Sequence, residues 1–422
     1  MTNYDVIVVG GGFAGVAAAI AAAREGSKVL LLEQSGALGG AASTALVMPF
    51  MRYYTTLINE QGEHVAFNLV RGIFQKIVDG MAEFGACRVK SSKEFNAEYL
   101  KVVLDRMLAE HAVDVLFHAT LCDVKTEGRF LNEVSVATVG GVLKFGAKCF
   151  VDATGDGTLS AYAGASFQLG REEDSLCQPM TLCFRVSNVK WEEMGKELAE
   201  MQKLYKQYHD EGKFKNHRED ILLFKTVNKN EIHFNSTRVV KLNPIDAFEV
   251  SKAEIEAREQ MLELFDFLKT NFSSFADACI IVSGPSIGIR ESRMIVGEHR
   301  LTGKELIDIT KFEDAIAAGN YDIDIHNPEG AGTSHHYFKA GTYYTIPYRS
   351  LVAADFDNLL VSGRCISCDH QAQASIRIMP ICCATGEAAG VGAAMVAKND
   401  CVAKDVDVTE VQKILKENGA FF

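Results

Sequence analysis

Proline is scarce, with seven residues in 422. With 48% hydrophobic and 23% charged residues, the composition excludes a collagen-like, low-complexity or largely disordered chain. Basic runs are missing, and the net charge is −12, from 43 Lys and Arg against 55 Asp and Glu. A nucleic-acid partner needs a clustered positive surface, so none is expected, and the acidic balance is read as solubility. Eleven cysteines are too few, and odd in number, for a disulfide scaffold, which points to free thiols and a cytoplasmic setting. No purely apolar stretch approaches the roughly 20 residues of a membrane span, so no membrane partner is expected. Val6 to Ala23 superficially resembles a signal peptide, but Asp5 leads it, no basic segment precedes it and Gly10, Gly11 and Gly12 interrupt it.

What is present begins at once. Asp5-Val6-Ile7-Val8-Val9 has the continuous apolar character of a buried parallel strand. Gly10-Gly11-Gly12-Phe13-Ala14-Gly15 follows as G-x-G-x-x-G, then an alanine-rich helix-favouring stretch that Gly26 is placed to end. A second apolar run, Lys28 to Leu32, ends in Glu33. This is a βαβ unit of about thirty residues, the setting that a dinucleotide fingerprint requires. Gly10 permits the tight turn, Gly12 lets backbone approach a pyrophosphate, and Gly15 lets helix and strand pack closely. The helix start offers free N–H groups and a partial positive charge to phosphates. Glu33 is placed to accept from ribose hydroxyls, which disfavours a 2′-phosphate.

The fingerprint alone does not choose between FAD and NAD, but further segments resemble the glutathione-reductase-like flavoproteins. A second glycine pair follows Glu33 in Glu33-Gln34-Ser35-Gly36-Ala37-Leu38-Gly39-Gly40-Ala41-Ala42-Ser43. Ala153-Thr154-Gly155-Asp156 ends a strand-like run, and Asn358 to Arg364 reads as a third strand of that fold. Beyond it, Pro380 suits the first turn of a helix over 381–398. The resemblance implies FAD contacts from Gly10, Gly12, Phe13, Ala14, Gly15, Glu33, Gln34, Gly39, Gly40, Ala41 and Ser43. It implies the same for Leu121 (beside adenine), Ala153, Gly155, Asp156, Gly363, Arg364, Met379 and Pro380. Residues 41–50 contain no histidine, so the covalent attachment seen in fumarate reductase flavoproteins is not expected. No second G-x-G-x-x-G marks a separate NAD(P)H domain.

Four further strings are similar to the FAD-dependent oxidoreductases that include heterodisulfide-reductase-like flavoproteins. They are His233 to Arg238, Gly288 to Arg293, Ile346 to Leu351 and Gly363 to Ser367. The resemblance spans nearly the whole chain and does not name a substrate. The fold class it implies is α/β, a Rossmann-like FAD-binding domain with an inserted α+β substrate domain. The expected layout is FAD binding from residues 1–165 and 346–422, with a substrate domain from 166–345. Within that insertion the sequence predicts helices over 191–213 and 251–268. Ser251 and Glu254 are positioned as a capping box for the second.

A flavoenzyme also needs groups that bind a substrate and move a proton. Arg290 and Arg293, three apart, would share a helix face and could clamp a carboxylate, with Glu291 as proton carrier or ion-pair partner. Tyr348, Arg349 and Arg377 are candidates for substrate or FAD contact. His370 is the first choice for a general acid or base, against a neutral hydrogen-bonding role. His335-His336 reads as a mobile or solvated loop. Cys365 and Cys368 have redox-motif spacing, but buried free thiols are the default for these and for Cys382-Cys383. No metal is expected. The sequence therefore points to hydride transfer between non-covalent FAD and a small, anionic organic substrate. A non-catalytic binding protein of the same fold and the electron-transfer component of a larger redox complex remain alternatives, and the oligomeric state stays open.

Overall fold

The structure is a computed structural model that describes residues 2–58, 61–87 and 94–422. Its main sheet has seven strands. Thr2–Val9 lies parallel to Val29–Leu32 on one side and to Gly141–Asp152 on the other. Asp114–Leu116 extends the sheet beyond Val29–Leu32, and Leu359–Val361 pairs with the end of Gly141–Asp152. Where the central strands pair at the core both faces are covered and the residues are apolar, as at Val6 to Val9 and Val29 to Leu32, and Val6 to Val8 have no exposed surface. Gly141–Asp152 is long enough for two jobs. Its second half joins the parallel core, and its first half pairs antiparallel with Phe130–Thr138, which pairs in turn with Thr120–Glu127.

One face of the sheet is closed by two helices crossing at glycine. A Cβ on Gly386 would stand 2.1 Å from the Ala14 carbonyl oxygen, and one on Gly390 would stand 2.2 Å from that of Ala18. The alanine-rich first helix (Phe13–Arg24) and the last long helix (Met379–Asn399) therefore touch backbone to backbone. The latter is the one helix among the described residues long and apolar enough to cross a membrane, yet most of it is buried inside the protein.

This helix also buries a carboxyl group. Glu387 is 3% exposed, accepts from the Ile73 amide at 3.1 Å and lies 3.9 Å from the Arg24 guanidinium. Burial outweighs that charge and raises its pKa from 4.5 to about 7. The native state therefore holds a proton that the unfolded chain has lost. The resulting stability falls as pH rises from the unfolded to the folded value, and is gone above it. Glu387→Gln is expected to leave the melting temperature unchanged near pH 4 and to raise stability by about 1–3 kcal/mol at pH 8. Thermal unfolding at the two pH values checks this.

A second hydrophobic core draws on residues between Met180 and Ile287. Its antiparallel sheet runs Leu223–Lys225, Ile232–Phe234, Phe184–Ser187, Cys279–Ser283. Trp191–Asp210 and Ala247–Asn271 are the helices that contribute to this core. Two expectations are corrected here. The second helix starts four residues before Ser251, because Asp246 caps it by accepting from Phe248 and Glu249, while the Ser251 hydroxyl bonds the Ala247 carbonyl within the helix. Residues Met294 to Tyr344, expected with the insertion, pack into the first core instead. They do so because Ala315–Gly319 pairs with Tyr344–Pro347 and lies against the last long helix.

Candidate functional site

The predicted cofactor residues converge on the start of the first helix. Gly10 has φ +103°, and a Cβ there would meet the Ala153 carbonyl oxygen at 2.5 Å. A Cβ on Gly15 would stand 1.7 Å from the Gly10 carbonyl oxygen. Gly12 differs: its Cβ direction opens on free space, with Gly40 Cα the nearest atom at 3.9 Å. The second glycine pair docks there, since the Gly39 amide donates to the Gly11 carbonyl at 2.9 Å. Gly363 closes another side, where a Cβ would lie 2.9 Å from that of Ala14. No side chain caps the first helix, although Phe13, Ala14 and Gly15 are buried. A buried, uncapped helix start calls for an outside acceptor. Glu33 ends its strand 7% exposed, and its two oxygens take one backbone amide each, from Gly11 at 2.6 Å and Ser35 at 2.7 Å. A carboxylate accepts more than two hydrogen bonds, so capacity remains for hydroxyls.

The other positions vary. Gln34 and Ala41 are exposed, and Ser43 is buried with its hydroxyl on the Gly40 carbonyl. Leu121 lies in Thr120–Glu127, just beyond Ala119, whose amide donates to the Glu33 carbonyl at 3.0 Å. Asp156 receives Arg364 at 2.8 Å and the Ser292 hydroxyl at 2.6 Å, with Gly155 against the same guanidinium. Met379 and Pro380 open the last long helix, which also lacks a side-chain cap. A site with two uncapped helix starts, a glycine cradle and an acid after the second strand fits a dinucleotide such as FAD.

The catalytic candidates separate into two groups. His370 heads the short helix His370–Ile376, and Asp369 caps it by accepting from Ala372. Its Nδ1 lies 2.7 Å from Oε1 of Glu291, which has no exposed surface and whose Oε2 accepts from the Gln178 amide at 2.8 Å. The ring lines a cavity of about 660 Å³ with Arg171, Asn327, Thr333 and Gln371.

Arg290 leaves the same chain segment for other partners. It donates to the Pro179 carbonyl at 2.7 Å, to the Thr181 hydroxyl and to Asn235 Oδ1 at 3.3 Å. All three acceptors are uncharged. Its surroundings strip water from the guanidinium, and Arg377, Arg218 and Arg238 repel it, which together lower its pKa to about 9. Arg377 has Asp324 at 3.7 Å, but its Nε carries no hydrogen bond. Burial would raise Asp324, yet hydrogen bonds from His326 and Tyr321 and the Arg377 charge hold it well below the usual carboxylate range. His326 is pushed down to about 3, chiefly by burial and then by Arg290, and so is neutral.

Four expectations are corrected. Arg290 and Arg293 do not share a helix face. Arg293 opens the strand Arg293–Ile295, bonds the Asp156 carbonyl at 3.0 Å and stacks on Phe167. Tyr348 is 1% exposed, and its hydroxyl is spent on the Ala403 carbonyl in the core. Arg349 pairs with Asp314 at 2.9 Å on the surface. His335-His336 is a strand, not a loop, with His335 Nδ1 2.7 Å from Asp322. Cys365, Cys368, Cys382 and Cys383 are free and buried, and burial raises all four thiols.

The family model for FAD dependent oxidoreductases matches residues 5–415. The chain belongs to that family. No curated protein matches its sequence. Among solved structures, this oxidoreductase is similar to a geranylgeranyl bacteriochlorophyll reductase-like protein from Thermoplasma acidophilum. That likeness has 12% identity and a TM-score of 0.44, over 99% of this chain and 82% of the other. It is also similar to a p-nitrophenol 4-monooxygenase from Pseudomonas putida, at 11% identity and TM-score 0.46 over 99% and 89%. A myxobacterial FAD-dependent halogenase matches at 15% identity and TM-score 0.44 over 99% and 79%.

Sequence reasoning left open the partner of Glu291, which the oxidoreductase gives to His370 and not to either arginine. It missed Asp324 and His326 altogether. Their spacing of two in the alternating stretch Asp322-Ile323-Asp324-Ile325-His326 was the available signal, since alternate strand residues share a face.

Proposed function

We propose that this FAD-dependent oxidoreductase exchanges a hydride with a small organic acid, holding FAD non-covalently between residues 1–165 and 346–422. The part of the insertion that builds the second core, between Met180 and Ile287, covers the reacting end, and the eleven free cysteines favour a cytoplasmic setting. Phe13, Ala14 and Gly15 would give their amides to the pyrophosphate, Glu33 would take ribose hydroxyls, and the first turn at Met379 and Pro380 would hold the flavin end. Bound FAD supplies a ring that accepts or returns a hydride. Arg290, helped by Arg377, binds the acid group of the substrate. His370 takes or gives the accompanying proton at Nε2, while Glu291 accepts from Nδ1–H and fixes the tautomer.

The observation that carries this reading is Arg290. A guanidinium with only uncharged acceptors, set among other arginines, is an uncompensated charge that an anion would relieve. The purified protein should be yellow and release its flavin on acid precipitation. Aliphatic mono- and dicarboxylates should perturb the flavin spectrum. Arg290→Leu should weaken that binding about 10–100-fold, the value of a charge-assisted hydrogen bond, with FAD content unchanged. Equal carboxylate binding by the variant would end the assignment.

A further inference from the structure

The two central strands of the smaller sheet are buried on both faces from Phe184 to Val186 and from Ile232 to Phe234, but only one of those faces is apolar. Phe184, Val186, Ile232 and Phe234 belong to the second core. Pleating sends the residues between them to the other side. There Arg185 is the cross-strand partner of His233, and Glu231, just ahead of that strand, reaches to within 3.7 Å of Arg185. Their exposures are 8%, 0% and 7%. This face looks toward residues 44–48: Arg185 Nη2 lies 3.9 Å from Met48 Sδ, and Gly284 and Gly288 back onto Ala45.

Buried polar atoms are nearly always paired. Here both ring nitrogens of His233, Nε of Arg185 and Oε1 of Glu231 carry no hydrogen bond. Arg185 and Glu231 approach only to 3.7 Å. Burial, and then Arg185, pull the His233 pKa down to about 3, so the ring is neutral and offers one donor and one acceptor. The unsatisfied set is therefore mixed. Arg185 and one His233 nitrogen donate, while Glu231 and the other nitrogen accept. The opposite charges of Arg185 and Glu231 cancel, so a second carboxylate is not what this face matches. A group that presents an acceptor beside a donor matches it, and –CO–NH– is such a group.

We propose that Glu231, Arg185 and His233 bind an amide of the substrate, so that the substrate is an acid bearing an amide. This rests on the acid site at Arg290. Asn235, which accepts from Arg290, follows His233 by two residues, roughly 7 Å along the strand. The amide and the carboxylate are thus only a few bonds apart.

N-acetyl-β-alanine and 5-oxohexanoate differ only in an N–H against a CH2 and serve as matched probes. Each is titrated into the FAD-loaded protein while the flavin spectrum is followed. The wild type should bind the amide about tenfold or more tightly than its methylene analogue, because a site built to pair an N–H rejects a ligand without one. Glu231→Leu and His233→Leu should bring the ratio close to one and keep their FAD. A wild-type ratio of one overturns the proposal, as does a ratio that survives both substitutions. Loss of FAD from both variants also overturns it, since the cluster would then serve the cofactor. If neither probe binds and Arg290→Leu changes nothing, it is the acid site that has failed. Binding of both probes with equal affinity removes the amide site alone.

Discussion

Gly12→Val is expected to give a folded but colourless protein. The backbone at Gly12 has φ −71°, which any residue adopts. A Cβ there meets nothing closer than Gly40 Cα at 3.9 Å, so the isopropyl group fits the chain alone. It would stand in the space between the two glycine loops, in front of the uncapped first turn. A pyrophosphate seated there loses that space, and FAD content should fall at least tenfold with a melting temperature near that of the FAD-free wild type. The neighbouring glycines give the contrast. At Gly10 and Gly15 the added carbon collides with Ala153 and Gly10 backbone oxygens, so valine there should destroy folding as well as binding. Visible absorbance and thermal unfolding of the three variants separate the cases. A yellow Gly12→Val protein with full FAD content would show that the phosphates lie elsewhere.

The cofactor half was legible because its chemistry is local. A tight turn, a close approach and a helix start each demand glycine at a fixed offset, and Gly10, Gly12 and Gly15 carry that demand in six residues. The continuous apolar strands were legible for the same reason. The catalytic half was legible only in part, because it is assembled from distant segments. Nothing near His370 in the sequence announces Glu291, seventy-nine residues earlier. The helix expected across Arg290 and Arg293 failed because the segment is not helical and enters a strand at Arg293, so Glu291 turns toward His370 while Arg290 bonds Pro179, Thr181 and Asn235. Tyr348 failed because a tyrosine beside an arginine reads as polar, whereas its ring fits against Gly392 in the core. The buried polar face of the smaller sheet could not be read from His233-Phe234-Asn235, because whether alternate residues face solvent or protein depends on what covers the sheet.

His370→Asn is expected to lower turnover by about 10²–10⁴-fold, the usual contribution of a positioned general acid or base, while FAD stays bound and carboxylate binding changes little. Asparagine keeps a hydrogen bond to Glu291 but cannot carry a proton at the Nε2 position. Glu291 acts through the ring and is a positioning residue. With Nδ1–H given to its carboxylate, Nε2 is left as the lone-pair nitrogen at the cavity. Glu291→Gln presents a neutral amide in place of the carboxylate and no longer stabilises the imidazolium. It should cut turnover less than His370→Asn. A purely structural Glu291 would change stability and leave turnover of the folded protein unchanged. The double variant decides between the two. If the residues act as a unit, His370→Asn/Glu291→Gln should be no slower than His370→Asn alone, whereas independent roles would multiply the losses.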